Sequence, residues 1–467
     1  MHTPTWRRNP AGAAARPGIT SRYDQFHGIG RLKMTCRDAA QRITHSHAPR
    51  ACDETAVRFK ASCRFCAAPL KHTFADLGLT PLCQTHIEPE QLSEPERFYP
   101  LHALVCERCW LVQLQEFVSP AEIFSEYAYF SSYSDSWVEH ARCYADHMRQ
   151  IFGIGRESLV VELASNDGYL LQHFVRAGIP VLGVEPAANV AEVAIQKGVR
   201  TEVQFFGRNA AERIATKYGQ ADLLLGNNVL AHVPDLNDFV EGMKRLLKPG
   251  GLITMEFPHL LRLIEGNQFD TIYHEHFNYF SFATVQRVFA HHELALFDVE
   301  ELPTHGGSLR VYAQHAGASG RAATPRVTEL LERERALGFE RLHPYRQFAE
   351  QVRETKRKVL EFLIDAKHAG KSIAGYGAPG KGNTLLNYCG IRTDFINYTV
   401  DRNPYKQGKF TPGTRIPILH PDQIRATRPD YVFVLPWNLA NEILSQLAYV
   451  REWGARFVLP IPSIQVV

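Results

Sequence analysis

The sequence predicts an α/β protein in three parts: a small cysteine-bearing module, a central domain on a parallel sheet with crossover helices, and a second α/β domain after it. Three observations carry this expectation. Two Cys-x-x-Cys pairs, Cys63/Cys66 and Cys106/Cys109, frame the first part. From about residue 157, short β-branched runs alternate with helical ones, the pattern of parallel strands joined by helices. A long helical stretch, about 325–368, then leads into KSIAGYGAPGKGNTLLNYCGI, a strand, a glycine turn and a helix. The length of 467 residues agrees with more than one domain. The expected boundaries are 1–57 for an extension, 58–148 for the cysteine module with a helical linker, 149–318 for the central domain, and 319–467 for a helical linker plus the last domain.

Composition narrows the class. Hydrophobic residues at 45% and charged residues at 22% are ordinary for a globular protein, and a net charge of +3 gives no argument for nucleic acid. The first fifty residues hold nine Lys/Arg against two Asp/Glu, and the remainder is slightly acidic. That start is Arg-rich and acid-poor like a transit peptide, but NPAGAAARPG breaks an amphipathic helix and the apolar core of a secretory signal is missing. Residues 1–57 are therefore expected to be a disordered extension, or sequence upstream of a start at Met34. Without an apolar run of about 18 residues, no membrane span is expected. The nine cysteines, an odd count without a signal, point to a reducing compartment and to metal binding or burial. A cytoplasmic monomer or weak homodimer is the expectation.

A Cys-x-x-Cys turn presents two thiolates on one side of a tight loop, and two such turns complete a tetrahedral four-sulfur zinc site. Such a closed site leaves no position for substrate, so its expected role is structural. Cys83 and His86, in PLCQTHI, lie within the module as alternative ligands of less typical spacing. In SLVVELASNDGYLLQHF, a buried strand from Leu159 to Leu163 ends in the turn Ala164-Ser165-Asn166-Asp167-Gly168. Small side chains there let a ligand approach the backbone. The next strand, PVLGVEP, ends in Glu185-Pro186, where an acidic side chain can hold a ribose diol through two hydrogen bonds. A strand ending in Asn227 and Asn228 follows, then a helix stop, a Gly-Gly turn and a fifth strand in LLKPGGLITMEFP, and two closing strands in ALFDVEELPTHGGSLRVYAQH.

This order of acidic loop, strand-end Glu, Asn-rich strand, Pro-Gly-Gly turn and closing hairpin resembles the class I S-adenosylmethionine-dependent methyltransferases, with their Rossmann-like fold. The Gly-x-Gly-x-x-Gly fingerprint of a dinucleotide site is absent from the first turn. The resemblance implies that Glu162, Ala164, Asn166, Asp167, Gly168, Glu185, Pro186, Asn227 and Asn228 line the S-adenosylmethionine site. A wider likeness spans about 60–467. The cysteine module, YAYFSSYSDSW, YHEHFNYFS, THGGSLR and the second Rossmann-like domain together resemble the C-methyltransferases of nucleotide-activated deoxysugars. Those enzymes methylate carbon 3 of a TDP-4-keto-6-deoxyhexose. PLCQTHI departs from the family's usual Pro-Leu-Ala-Asn-like stretch, which bears on the identity of the sugar if that loop touches it.

In the last domain, the turn through Gly375, Gly377, Gly380 and Gly382 can offer backbone amides to a pyrophosphate, with Lys381 adding charge; a bare structural turn would look the same. Asp401 closes the following strand, with Arg402, Lys406 and Lys409 nearby, and Trp437-Asn438 ends another as an edge for a base or sugar. The resemblance implies a nucleotide-sugar role for this domain, with Gly377, Lys381, Asp401 and Arg402 as candidate contacts.

The stretch TIYHEHFNYFS, 271–281, has three readings. Extended, it puts His274 and His276 on one face with Glu275 opposite; helical, the two histidines diverge. Neither arrangement gives the i, i+4 pair of a helical zinc site. A metal would need further ligands, and an aromatic wall would need none. The third reading is acid–base chemistry. Methylation next to a ketone removes a weakly acidic C–H proton, so a histidine base needs donors aimed at the enolate oxygen. The resemblance implies His276 as base, Tyr273 or Tyr127 as oxyanion donor and Glu275 as orienter. Two other functions compete: an NAD-dependent oxidoreductase using the Gly375 turn, which leaves the central domain without a task, and a non-catalytic sugar-nucleotide binder.

Overall fold

The computed structural model describes residues 61–124, 130–318 and 320–467. The extension 1–57 and Tyr127 lie outside them. In chain order, the cysteine module contributes β1 (His72–Thr80), β2 (Tyr99–Val105) and β3 (Val112–Leu114). The central part contributes β4 (Val160–Leu163), β5 (Val181–Val184), β6 (Thr201–Glu202), β7 (Ala221–Asn227), β8 (Leu247–Pro258), β9 (Asn278–Tyr279), β10 (Leu294–Leu302) and β11 (Ser308–His315). The last part contributes β12 (Ile373–Tyr376), β13 (Thr399–Val400), β14 (Ile418–Leu419), β15 (Tyr431–Val434), β16 (Arg456–Leu459) and β17 (Gln465–Val466).

The central sheet is seven-stranded in the order β10-β11-β8-β7-β4-β5-β6. Strands β4 to β8 pair in parallel, and β11 is antiparallel to both its neighbours. Consecutive connections leave β4 in opposite directions, toward β5 and toward β7, so a crevice opens at its carboxyl end. The fully buried VVEL run of β4 suits a strand covered on both faces. The last sheet repeats the device, with order β14-β13-β12-β15-β16-β17 and the crevice at the end of β12.

Two local expectations are corrected. Pro249-Gly250-Gly251 is not a turn ahead of the fifth strand but lies within β8, where the register against β7 jumps between Ala221 and Leu223. Gly250, at φ 80°, absorbs the extra residues as a bulge. The 271–278 stretch is neither extended nor helical at its histidines. It forms a turn in which the His276 amide donates to the Tyr273 carbonyl at 2.9 Å, and only Asn278 and Tyr279 are strand.

That short strand decides the architecture. β9 leaves the central part and completes the module's sheet, in the order β1-β2-β3-β9, with Val112 opposite Tyr279 and Gln113 opposite Asn278. Residues Phe59–Val467 form one compact unit, and a shared core runs from the module's Phe74 and Leu101 through Phe269 and Ile272 to Phe348 and Phe433. Among the described residues, no helix is long and apolar enough to cross a membrane.

Candidate active site

The four cysteines converge. The Sγ atoms of Cys63, Cys66, Cys106 and Cys109 lie within 4.8 Å of one another, with Cys63–Cys109 and Cys66–Cys106 each at 3.5 Å and no disulfide. Zinc–sulfur bonds of about 2.3 Å in a tetrahedron place the sulfurs about 3.8 Å apart, so the set fits zinc. Both turns are built alike: Ala67 donates its amide to the Cys63 carbonyl and Trp110 to that of Cys106, at 2.8 and 3.0 Å. Gln113 Nε2 donates to Cys63 Sγ at 3.1 Å, a hydrogen bond that favours a ligating thiolate. Cys83 and His86 are elsewhere. Cys83 Sγ is 3.5 Å from Glu275 Oε1 in the buried contact between module and histidine turn.

At the end of β4, Ala164, Asn166 and Gly168 all adopt positive φ, as does Asn228 after β7. Three non-glycine residues in this strained region crowd one crevice, as is common where a ligand sits. A Cβ on Gly168 would come within 3.0 Å of Val199, which fixes glycine there. Glu185 takes the Asn166 amide on one oxygen and the Ala187 amide on the other, both at 2.9 Å, which aims its remaining lone pairs outward. Pro186 sits between these groups, and Asn227 Nδ2 donates to Tyr169 at 3.3 Å. Asp167 Oδ1 and Asn228 Oδ1 are buried with no hydrogen-bond partner among the described residues, and the Glu162 carboxyl is buried beside Tyr169. Burial pushes the Glu162 carboxyl well above its usual range, Tyr169 offsetting this only in part. Unpaired acceptors of this kind fit a ligand carrying ammonium and sulfonium charge.

The segment before helix Asp135–Ile151 closes over this turn. Ser131 donates its amide to Asn166 Oδ1 at 2.9 Å, Ser132 to Asp167 Oδ2 at 3.3 Å, and Lys197 reaches Asp167 at 3.1 Å. Asn166 and Asp167 therefore order the SSY segment as well as bounding the crevice. Below it, Trp137 stacks on His140, and the buried Glu256 binds His140 at 2.9 Å and Arg310 at 2.7 Å.

The histidine turn stands between three elements. Its neighbour Phe277 gives its carbonyl to the Leu114 amide at 3.0 Å, which ties the turn to β3. His274 faces away, with Nε2 at 3.1 Å from the Pro100 carbonyl. Glu275 points to Cys83. His276 Nδ1 is 3.1 Å from the Thr271 carbonyl, its ring 4.1 Å from Tyr273 and 4.7 Å from His232. Since a carbonyl can only accept, Nδ1 carries the proton and Nε2 holds the free lone pair. No acidic side chain completes a metal site here: the one cluster suited to a metal among the described residues is the four-cysteine set.

Sequence reasoning missed His232 and His305. His232 follows the Asn227-Asn228 pair, and nothing in NNVLAHVP singles it out. His305, within THGG, has φ 55° and accepts from Asn228 Nδ2 at 2.9 Å, a pairing that joins the ends of β7 and β10. Only that positive φ, invisible in the sequence, marks it. Burial drives His276 well below its ordinary value, and His232 and His305 to about 4. These groups stay neutral in the folded protein at pH values where the unfolded chain, near 6.5, gains protons. Stability is thus fully present above about pH 6.5 and falls as pH drops toward 4. A melting series from pH 7.5 to 4.5 should show this. A variant with His232 and His305 replaced by Gln should have a flatter profile, and an unchanged slope would rule out these histidines as its source.

In the last sheet, Gly377 ends β12 at φ 84°, and a Cβ there would meet Pro436 at 2.6 Å. Asp401 accepts from the Ala378 and Asn403 amides, each at 2.8 Å, and so shapes the glycine turn. Lys381 bonds Asn438 Oδ1 at 2.8 Å. Arg402 does not join them: its exposed side chain lies 3.7 Å from Glu442.

Three family descriptions match the chain in series: "Putative zinc binding domain" over 63–124, "Methyltransferase domain" over 137–299 and "C-methyltransferase C-terminal domain" over 303–462. The C-methyltransferase NovU of Streptomyces niveus is 39% identical over 405 residues, covering 87% of this chain and 96% of that protein. The ubiquinone biosynthesis O-methyltransferase of Bartonella bacilliformis is 30% identical over 98 residues, covering 20% of this chain and 38% of that protein. The solved magnesium protoporphyrin IX methyltransferase of Synechocystis PCC 6803, with bound SAH, aligns at 12% identity over 38% of this chain and 83% of that one, at a TM-score of 0.32.

Proposed function

The chain belongs to the family of S-adenosylmethionine-dependent C-methyltransferases that includes NovU, and from that premise we propose that it methylates a carbon, C-3, next to the ketone of a nucleotide-linked 4-keto-deoxysugar. The observation that carries the reading is the fixed tautomer of His276, which leaves Nε2 as a proton acceptor beside the crevice at the ends of β4 and β7. S-adenosylmethionine supplies an electrophilic methyl group when bound.

The chain's own residues account for the rest. Glu185 grips the cofactor's ribose, and Glu162, Asp167 and Asn228 offer acceptors to its charged end. His276 Nε2 takes the proton from the reacting carbon. Glu275, held against Cys83, orients the turn, and Tyr273 or Tyr127 donates toward the developing oxyanion. The domain around β12 holds the nucleotide, with Gly377 and Asp401 at its glycine turn, and the division at 58–148, 149–318 and 319–467 follows these tasks.

Calorimetric titration with S-adenosylmethionine, S-adenosylhomocysteine and NAD tests the reading: the first two should bind and NAD should not. Tight NAD binding alone would replace it with an oxidoreductase. Glu185→Ala should weaken both adenosyl ligands by about 1.5–3 kcal/mol, the worth of hydrogen bonds from a charged group. Unchanged dissociation constants for both would remove Glu185 from the site.

A further inference from the structure

Lys381 is the second residue of helix Gly380–Cys389, and the first turn of that helix is wedged against the catalytic turn at two points. On one side a Cβ at Gly380 would sit 2.9 Å from Cys83 Sγ, the thiol that contacts Glu275. On the other, Thr384 donates to the Ile272 carbonyl at 3.2 Å, next to the Thr271 carbonyl that fixes His276. Between these anchors Lys381 Nζ lies 4.7 Å above the Trp437 ring and bonds Asn438. Trp437 Nε1 in turn donates to the buried Asp270 at 2.7 Å. The Lys381–Trp437 pair therefore meets, at Asp270, the same segment that carries Thr271 and His276.

The ammonium has three N–H donors and Asn438 uses one. The cation acts electrostatically on both His276 and His305, and burial lowers its basicity, which makes it a stronger acid toward an oxyanion. Asp270 opposes that shift. A lysine serving a pyrophosphate at the helix N-terminus would point to the glycine turn, whereas this one is held over Trp437, which bonds Asp270 in the segment leading to His276.

We propose that Lys381 is a catalytic residue whose ammonium receives the enolate oxygen of the sugar while His276 holds the proton; this rests on the reaction proposed above. The C–H bond at the reacting carbon breaks, its proton goes to His276 Nε2, and its electron pair forms the carbon–carbon double bond as the ketone oxygen gains charge opposite Lys381. When the carbon takes the methyl group, the double bond supplies the pair for the new carbon–carbon bond, the methyl–sulfur bond breaks with its pair kept on the sulfur, and the ketone re-forms. The proton leaves His276 to solvent with product release. Nothing else is consumed.

The test uses a TDP-4-keto-6-deoxyhexose deuterated at C-3, with S-adenosylhomocysteine present so that no methyl can transfer. Wild-type protein should wash deuterium into water. Lys381→Met should slow wash-out at saturating sugar by about 10²- to 10³-fold, as when one oxyanion donor is lost. Its affinity for TDP should stay within about threefold of wild type, a range in which no full hydrogen bond to a charged group is lost. Lys381→Arg should recover part of the rate. If Lys381→Met does not fold, Lys381→Gln, which removes the charge and keeps a polar side chain, should slow wash-out at unchanged TDP affinity. A Lys381→Met protein, or failing that a Lys381→Gln protein, that washes out at the wild-type rate overturns the proposal. So does one that loses TDP affinity tenfold while keeping that rate, since this assigns the lysine to the phosphates. If wild type neither exchanges nor methylates the sugar, the reaction itself is misassigned and the proposal falls with it.

Discussion

His276→Asn should lower turnover by about 10²- to 10⁴-fold, the range for removing a general base, and leave the affinity for both substrates near wild type. Asn can still donate an N–H toward the Thr271 carbonyl, the contact that His276 Nδ1 makes at 3.1 Å, so the turn should persist. Nothing then replaces Nε2. The pH profile offers a second check. Because burial holds the imidazole well below 6.5, the neutral base is populated through the neutral range and is lost only as pH falls through that lowered value. The acid limb of wild-type turnover should therefore lie below pH 6.5. A limb at 6.5 or above, or a mutant that exchanges substrate deuterium at the wild-type rate, would assign proton removal to another group.

Loss of the zinc site should have an effect of similar size by a different route. Purified protein should carry about one zinc per chain, and Cys106→Ser should lower both metal content and melting temperature, since binding energy of about 10–16 kcal/mol supports small zinc modules. The structure adds a consequence for turnover. Cys63 is hydrogen-bonded by Gln113, Gln113 pairs with Asn278 in β9, and Asn278 stands two residues from His276. Arg64, between two ligands, also packs over Phe277 at 5.4 Å and bonds the Leu114 carbonyl. Turnover in Cys106→Ser should therefore collapse, because the turn that carries His276 loses the strand that anchors it. Metal-free protein with wild-type melting and turnover would refute this account.

The sequence alone determined the parts list. Cysteine spacing sufficed for the metal set because two short turns each fix two ligands, and in the structure the four sulfurs close to within 4.8 Å. The β4 turn and Glu185 were legible for the same reason: strand, small-residue turn and strand-end acid are local patterns, and backbone geometry follows local sequence. The tertiary structure decided what no local pattern encodes. Two residues, Asn278 and Tyr279, cross from one sheet to another, and that pairing places His276, turns His274 aside and sets the tautomer through Thr271. His232 packs on His276, His305 pairs with Asn228, and Lys381 is brought over Trp437, which bonds Asp270, through packing between elements far apart in sequence. Such contacts depend on which surfaces remain to be buried once each element has formed, a property of the assembled chain and not of any window within it.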